Sequence, residues 1–142
     1  MAAEKQFIYR SRIRFAQTDP AGLVFFPRYF ELFQEAIEDW FDNGLGQRYA
    51  DVILKQRLGL PTAHTECTFL RPTSLGDQLD LAVKPERVGN SSLTVRFEGT
   101  VDGELRLRGE SVLVLIDLNS GRPVPLNDDL RLRIQPYIDK DT

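Results

Sequence analysis

The segment best suited to chemistry is a carboxylate in a loop just ahead of an unprotected helix start. Asp19 lies in residues 17–22, where Pro20 and Gly22 predict a loop. A helix is predicted from Pro27, and Phe26 stands where a Ser, Thr, Asp or Asn cap is usual. The first amides of a helix have no intrahelical acceptor, so these amides are available to an oxygen of a ligand.

A carboxylate beside free amides suits acyl transfer at a carbonyl group such as that of a thioester. The amides and the positive end of the helix dipole would stabilise the oxygen charge that develops. Asp19 would attack the carbonyl or act as general base on water, and apolar residues 23–26 would exclude solvent. Asp-Pro-x-Gly is also an ordinary turn sequence, so a purely structural Asp19 is the alternative.

The elements that position this segment begin with a strand and a helix. Alternating apolar residues from Phe7 to Phe15 predict a strand with one buried face. From Pro27 an i, i+3, i+4, i+7 pattern predicts a long amphipathic helix that ends at Asn43-Gly44. A weaker helix is predicted over 47–58. The apolar stripe of the long helix comprises Tyr29, Leu32, Phe33, Ala36, Ile37 and Trp40.

The rest of the chain is predicted to be mostly β. Strands are expected over 62–70, 78–88, 93–101 and 105–118, separated by turn residues that imply an antiparallel meander. The apolar faces on either side of Asp102-Gly103 do not match across a two-residue turn, so a longer loop or a bulge is expected there. Residues 126–134 form a short helix or an irregular tail. This order predicts one α+β domain over 1–142, an antiparallel sheet wrapped around one helix.

Composition excludes several functions. A net charge of -3 disfavours nucleic acid as a partner. One histidine and one cysteine, Cys67, make neither a metal site nor an internal disulfide. Residues 1–10 lack the apolar core of a signal peptide, and the longest wholly apolar run, 112–116, is too short to insert in a membrane. A cytoplasmic location is therefore expected.

Three motifs in order carry a family resemblance. Residues 18–29, from Thr18 to Tyr29, resemble the signature of the 4-hydroxybenzoyl-CoA thioesterase family of the hot-dog superfamily. Residues 69–77 and 88–93 are similar to that family's second and third recurring patches. The resemblance implies a hot-dog fold, hydrolysis of an acyl-CoA with no cofactor besides the substrate's own CoA, and a homo-oligomer, dimer or tetramer, with active sites between subunits. It also implies that Asp19 is catalytic and that the Phe26 amide polarises the thioester.

The same resemblance and the first loop predict the acyl-binding residues. Gln34 stands where the 4-hydroxybenzoyl enzyme has an Asp that meets the substrate's phenol, and Gln carries no charge, so that specificity is not implied. His64 shares a predicted strand face with Thr62 and Glu66, and a surface pair with Glu66 is its alternative. The predicted substrate-binding residues are Gly22, Val24, Phe25, Tyr29, Gln34 and His64.

The predicted CoA-binding residues follow the second and third patches. Where the 4-hydroxybenzoyl enzyme has a basic pair, this chain has Gly89-Asn90, so Arg87 or the turn amides acting as an anion nest would take its place. A plain hairpin turn and a solvated arginine are the alternatives. The set comprises Arg71, Arg87, Gly89, Asn90, Ser91 and Ser92.

Two other functions fit parts of the pattern. A non-catalytic module that binds acyl-CoA or acyl-carrier protein would keep the apolar pocket without depending on Asp19. A hot-dog hydratase or dehydratase would use an Asp/His pair, but His64 lies far along the chain from Asp19.

Overall fold

The order of elements follows the predicted sequence of strand, long helix and sheet. The computed structural model describes residues 3–139. The strands are β1 (Phe7–Arg12), β2 (Leu58–Gly59), β3 (Thr62–Phe69), β4 (Gln78–Val88), β5 (Ser92–Val101), β6 (Glu104–Val114) and β7 (Ile116–Asp117). The helices are α1 (Pro27–Asp39), α2 (Tyr49–Leu54) and α3 (Asp128–Ile134), with short 3-10 turns at Phe15–Gln17 and Gln135–Tyr137.

An antiparallel sheet in the order β1-β4-β5-β6-β3 wraps around α1, while β2 and β7 form a separate pair. Phe33 of α1 stacks on Phe97 of β5 with ring centroids 4.3 Å apart. A Cβ on Gly109 would lie 2.3 Å from the Phe33 ring, so only glycine lets the helix approach this closely. The predicted α+β arrangement, a sheet around a long helix, is confirmed.

The end of the long helix differs from the prediction. After α1 the chain continues as a π-helical segment, Trp40–Leu45, and stops at Gly46, whose φ is 68°. Gly44, predicted as the stop, is instead packed so tightly that a Cβ would lie 2.7 Å from Trp40. Both glycines are required, but the left-handed one ends the helix and the other allows close packing.

The turn between β5 and β6 contains the predicted bulge. Asp102 and Gly103 have φ values of 50° and 80°, as a tight two-residue hairpin turn requires. Gly99 pairs with Leu107 while Thr100 pairs with Leu105, which leaves Arg106 as the extra residue. The bulge restores the apolar faces to register, so the expectation of a bulge is confirmed and no longer loop is needed.

Other boundaries shift for local reasons. Phe15, predicted to share a buried strand face, is 78% exposed because the strand ends at Arg12 and the chain enters a 3-10 turn. The last predicted strand divides into β6 and β7, and the C-terminal segment does form a helix, α3. Among residues 3–139, no helix has the length and apolar character needed to cross a bilayer.

Candidate active site

Asp19 is held in a tight turn that leaves one carboxylate oxygen free. Its Oδ1 accepts hydrogen bonds from the amides of Ala21 (2.9 Å) and Leu23 (3.2 Å). The Gly22 amide donates to the Asp19 carbonyl at 3.0 Å, with the Gly22 φ at 79°, where glycine is strongly favoured. Within residues 3–139, Oδ2 accepts no hydrogen bond. The loop therefore fixes the carboxylate while leaving one oxygen for a substrate or water.

A short ladder brings this turn back against the approach to α1. The Asp19 amide donates to the Leu23 carbonyl at 2.8 Å, and the Phe25 amide donates to the Gln17 carbonyl at 2.9 Å. Thr18 and Val24 bridge between them. We call residues 17–24 the Asp19 loop. Because its two arms pair, the carboxylate and the start of α1 lie on adjoining segments.

One amide at the helix start is free. No side chain caps Phe26, and Pro27 has no N–H. The amides of Arg28 and Tyr29 donate to the carbonyls of Phe25 (2.8 Å) and Phe26 (3.2 Å). Among the described residues, the Phe26 amide has no acceptor. The uncapped helix start is confirmed. Of the first amides there, only that of Phe26 is free among residues 3–139, and it is the amide that the family resemblance implied.

Aromatic side chains surround this amide. Phe25 and Phe26 are 48% and 58% exposed, and the Phe26 ring contacts Phe69 of β3 edge-on at 6.4 Å. Val24 and Tyr29 are buried, and the ring of Tyr29 packs against that of Phe69 with centroids 5.3 Å apart. Burial raises the pKa of the Tyr29 phenol. Within the chain, Tyr29 and Val24 therefore belong to the buried core beside the site, whereas the rings of Phe25 and Phe26 are exposed at its surface.

Gln34 lies at a separate cavity farther along α1. The cavity has a volume of about 230 Å³. Gln34 Nε2 donates to Glu38 Oε2 (3.2 Å) and the Tyr49 hydroxyl (3.3 Å), which leaves its Oε1 as an acceptor. The hydroxyls of Thr65 and Ser111 hydrogen-bond at 3.0 Å. The lining comprises Phe30, Phe33, Gln34, Ile37, Thr62, Thr65, Ser111 and Leu113.

His64 lies on the sheet face opposite this cavity. Its Nε2 is 3.5 Å from Glu66 Oε2, and both side chains are exposed. The predicted shared face with Thr62 is wrong, because a register shift between Thr62 and His64 pairs Thr62 with Leu113 and turns it towards the cavity. Within one chain His64 therefore makes the surface pair that was its alternative.

The predicted CoA-binding turn lies at the far end of the sheet from Asp19. The Asp19 loop adjoins the start of β4, whereas residues 89–92 follow its end, and eleven residues of strand span about 33 Å. The Gly89 amide already donates to the Ser92 carbonyl at 2.8 Å, so it cannot serve an anion nest. Arg87 is exposed beside this turn. Arg71 is exposed near the Asp19 loop, and its Nε lies 3.9 Å from Glu104 Oε2.

Two arginines at the loops were missed by sequence reasoning. Arg131 of α3 donates to the carbonyls of Gly89 (2.8 Å) and Asn90 (3.1 Å), and no motif marks it. Arg106 donates to the Pro72 carbonyl beside the Asp19 loop. A bulge was predicted close to Arg106, but no sequence pattern predicted that its side chain contacts the Pro72 carbonyl.

Cys67 is a free, half-buried cysteine. Burial raises the pKa of the Cys67 thiol to about 11, so it stays protonated near neutral pH. Within residues 3–139 no group of three or more His, Cys, Asp or Glu side chains is arranged to hold a metal ion.

Comparison with known sequences decides the family. The family described as the Thioesterase-like superfamily matches residues 13–134. The chain belongs to this superfamily. Thioesterase-like relatives include a 1,4-dihydroxy-2-naphthoyl-CoA hydrolase of Nostoc punctiforme, 27% identical over 87% of this chain and 83% of the relative. Another of the same name, from Prochlorococcus marinus strain MIT 9303, is 33% identical over 69% of each chain.

Solved structures of thioesterase-like proteins share the fold. A thioesterase superfamily protein from Jannaschia sp. CCS1 superposes with a TM-score of 0.88 at 24% identity, covering 97% of this chain and 96% of its own. A 1,4-dihydroxy-2-naphthoyl-CoA thioesterase from Synechocystis gives 0.82 at 23% identity, covering 92% and 96%. The predicted hot-dog fold is confirmed, and so is the thioesterase prediction at the level of the superfamily. Membership of the 4-hydroxybenzoyl-CoA family within it stays a prediction.

Proposed function

We propose that this chain hydrolyses an aromatic acyl-CoA thioester to the free acid and CoA. The observation that carries the proposal is a free carboxylate oxygen, Oδ2 of Asp19, on a segment that adjoins the unpaired Phe26 amide. Superfamily membership and relatives with the names of CoA hydrolases support it.

In the proposed reaction the Phe26 amide donates to the thioester oxygen. Asp19 either attacks the carbonyl carbon, forming an anhydride that water then cleaves, or takes a proton from water as that water attacks. In both routes the C–S bond breaks and the CoA thiolate leaves and is protonated. The amide stabilises the negative charge on the oxygen in the tetrahedral intermediate. Protein groups and water suffice, so the reaction requires no metal or cofactor.

The cavity along α1 favours an aromatic acyl group over a short aliphatic one. Its walls include Phe30, Phe33 and Leu113, whose apolar side chains would pack against an aromatic ring. Gln34 is eight residues beyond Phe26, about 12 Å along the helix axis. Its free Oε1 would accept a hydrogen bond from a ring hydroxyl, as in the substrate for which the relatives are named.

Thiol release from a panel of thioesters tests the proposal. The panel contains benzoyl-, 4-hydroxybenzoyl-, 1,4-dihydroxy-2-naphthoyl-, phenylacetyl-, hexanoyl- and acetyl-CoA. We expect kcat/KM for an aromatic member to exceed that for acetyl-CoA by at least about tenfold, because ring burial adds apolar contact area. Tight binding without turnover of any member would instead support the acyl-CoA-binding alternative.

We also propose that the site is completed by a second copy of this chain. β3 is an edge strand with seven of its eight residues exposed, an unusual state for a strand that borders an apolar cavity. If β3 paired antiparallel with β3 of a second copy, the two sheets would join with their ends exchanged. The partner's residues 89–92 would then lie at the same end of the joined sheet as Asp19, where CoA phosphates would bind.

Hydrogen exchange measures this pairing directly. In a dimer joined through β3, the outward amides of residues 62–69 are bonded, so we expect their exchange to be slow at micromolar protein and to accelerate on dilution. Analytical ultracentrifugation should give at least twice the chain mass of 16.2 kDa. A species of single-chain mass with fast exchange in β3 would contradict the shared site.

A further inference from the structure

Arg106 is the bulged residue of β6, and its side chain is directed at the loop of residues 70–77. No residue of β5 stands directly opposite Arg106, because Gly99 pairs with Leu107 and Thr100 pairs with Leu105. The side chain is only 19% exposed despite its charge. The bulge therefore places a largely buried positive charge against the 70–77 loop.

Arg106 holds the 70–77 loop at several points. Its Nη1 donates to the Pro72 carbonyl and lies 3.8 Å from Asp77 Oδ2. Its carbonyl accepts from the amides of Leu70 (2.8 Å) and Arg71 (3.1 Å). Its Nε lies 2.9 Å from Glu104 Oε1, an ion pair without hydrogen-bond geometry. One residue thus fixes the beginning and the end of the loop.

The 70–77 loop in turn carries the Asp19 loop. The Val24 amide donates to the Thr73 carbonyl, and the Leu75 amide donates to the Gly22 carbonyl, each at 2.8 Å. Leu23 and Ser74 form a β-bridge between these two bonds. Leu23 is also one of the two residues whose amides bind Asp19 Oδ1. Hydrogen bonds therefore connect the Arg106 guanidinium to the Asp19 carboxylate through the backbones of the two loops.

We propose that Arg106 is a positioning residue for Asp19, holding the 70–77 loop so that the free carboxylate oxygen faces the reacting carbonyl. The proposal rests on the proposed function of Asp19. Arg106 touches no reacting atom, so its removal acts on turnover rather than on substrate binding. A lysine can pair with Asp77, but it lacks the planar guanidinium that reaches Pro72, Asp77 and Glu104 together.

The test compares Arg106→Met and Arg106→Lys with Arg108→Met. Arg108 is an exposed arginine on the same strand that forms no ion pair among the described residues, so it controls for charge and strand position. We expect Arg106→Met to lower kcat by about 10²-fold, as a small misplacement of a catalytic group does, with KM within about twofold. Arg106→Lys should lose about tenfold, and Arg108→Met should match wild type.

Amide hydrogen exchange gives a readout that does not depend on activity. In Arg106→Met the Leu23 and Val24 amides should exchange at least about tenfold faster, while those of β4 and β5 keep their rates. Unchanged exchange at these amides, or faster exchange with undiminished kcat, overturns the proposal. If Arg106→Met does not fold, Arg106→Lys carries the same two measurements.

The outcome for Asp19 separates the two proposals. An inactive Asp19→Asn with a fully active Arg106→Met removes the positioning role and leaves the proposed function intact. A fully active Asp19→Asn removes the role of Asp19 and, with it, the reason for positioning.

Discussion

Asp19→Asn should lower kcat for thiol release by about 10³-fold or more while leaving the dissociation constant for the thioester almost unchanged. Asn keeps an oxygen at the place of Oδ1, so the hydrogen bonds from the Ala21 and Leu23 amides persist and the loop keeps its shape. The amide group that replaces Oδ2 can neither attack a carbonyl nor accept a proton from water. Single-turnover kinetics and equilibrium titration with the best thioester of the panel measure the two quantities.

Asp102→Asn is the matched control for this change. Asp102 occupies the β5–β6 turn with a positive φ, a conformation that Asn adopts at least as readily. The control removes one carboxylate from the chain with little effect on stability, so its kcat should equal that of wild type. Equal rates for Asp19→Asn and Asp102→Asn would exclude Asp19 from the reaction.

Phe26→Pro should lower kcat by about 10²–10³-fold by removing one proton donor. The Phe26 φ of -52° suits a proline ring, and the amide it would lose bonds to nothing else among residues 3–139. The costs to the fold are the restriction that proline places on the Phe25 backbone and the loss of the ring contact with Phe69. Circular dichroism and thermal unfolding check that α1 still forms.

Phe26→Ala separates the amide from the ring. It keeps the N–H and removes the partly exposed side chain that contacts Phe69, so we expect a change mainly in KM. If the alanine and proline variants lose kcat equally, the ring rather than the amide matters, and the assignment of Phe26 as the oxyanion donor fails.

Local patterns in the sequence determined much of the fold and the centre of the site. The helical spacing of apolar residues from Tyr29 to Trp40 specifies α1, and Pro and Gly around Asp19 specify a loop in front of it. The absence of a capping side chain at position 26 indicated available amides at the helix start, and the family resemblance implied that of Phe26. These features depend on residues within a few positions of one another, so periodicity and turn chemistry capture them.

The direction in which side chains point and the distances between the motifs were decided only by the tertiary structure. The shift between Thr62 and His64 reverses side-chain alternation, and one inserted residue aims Arg106 at the 70–77 loop. The length of β4 sets residues 89–92 apart from Asp19 within one chain. Register and strand order arise from pairing between residues distant in sequence, which is why a motif can name the reacting carboxylate while the sheet decides which residues surround it.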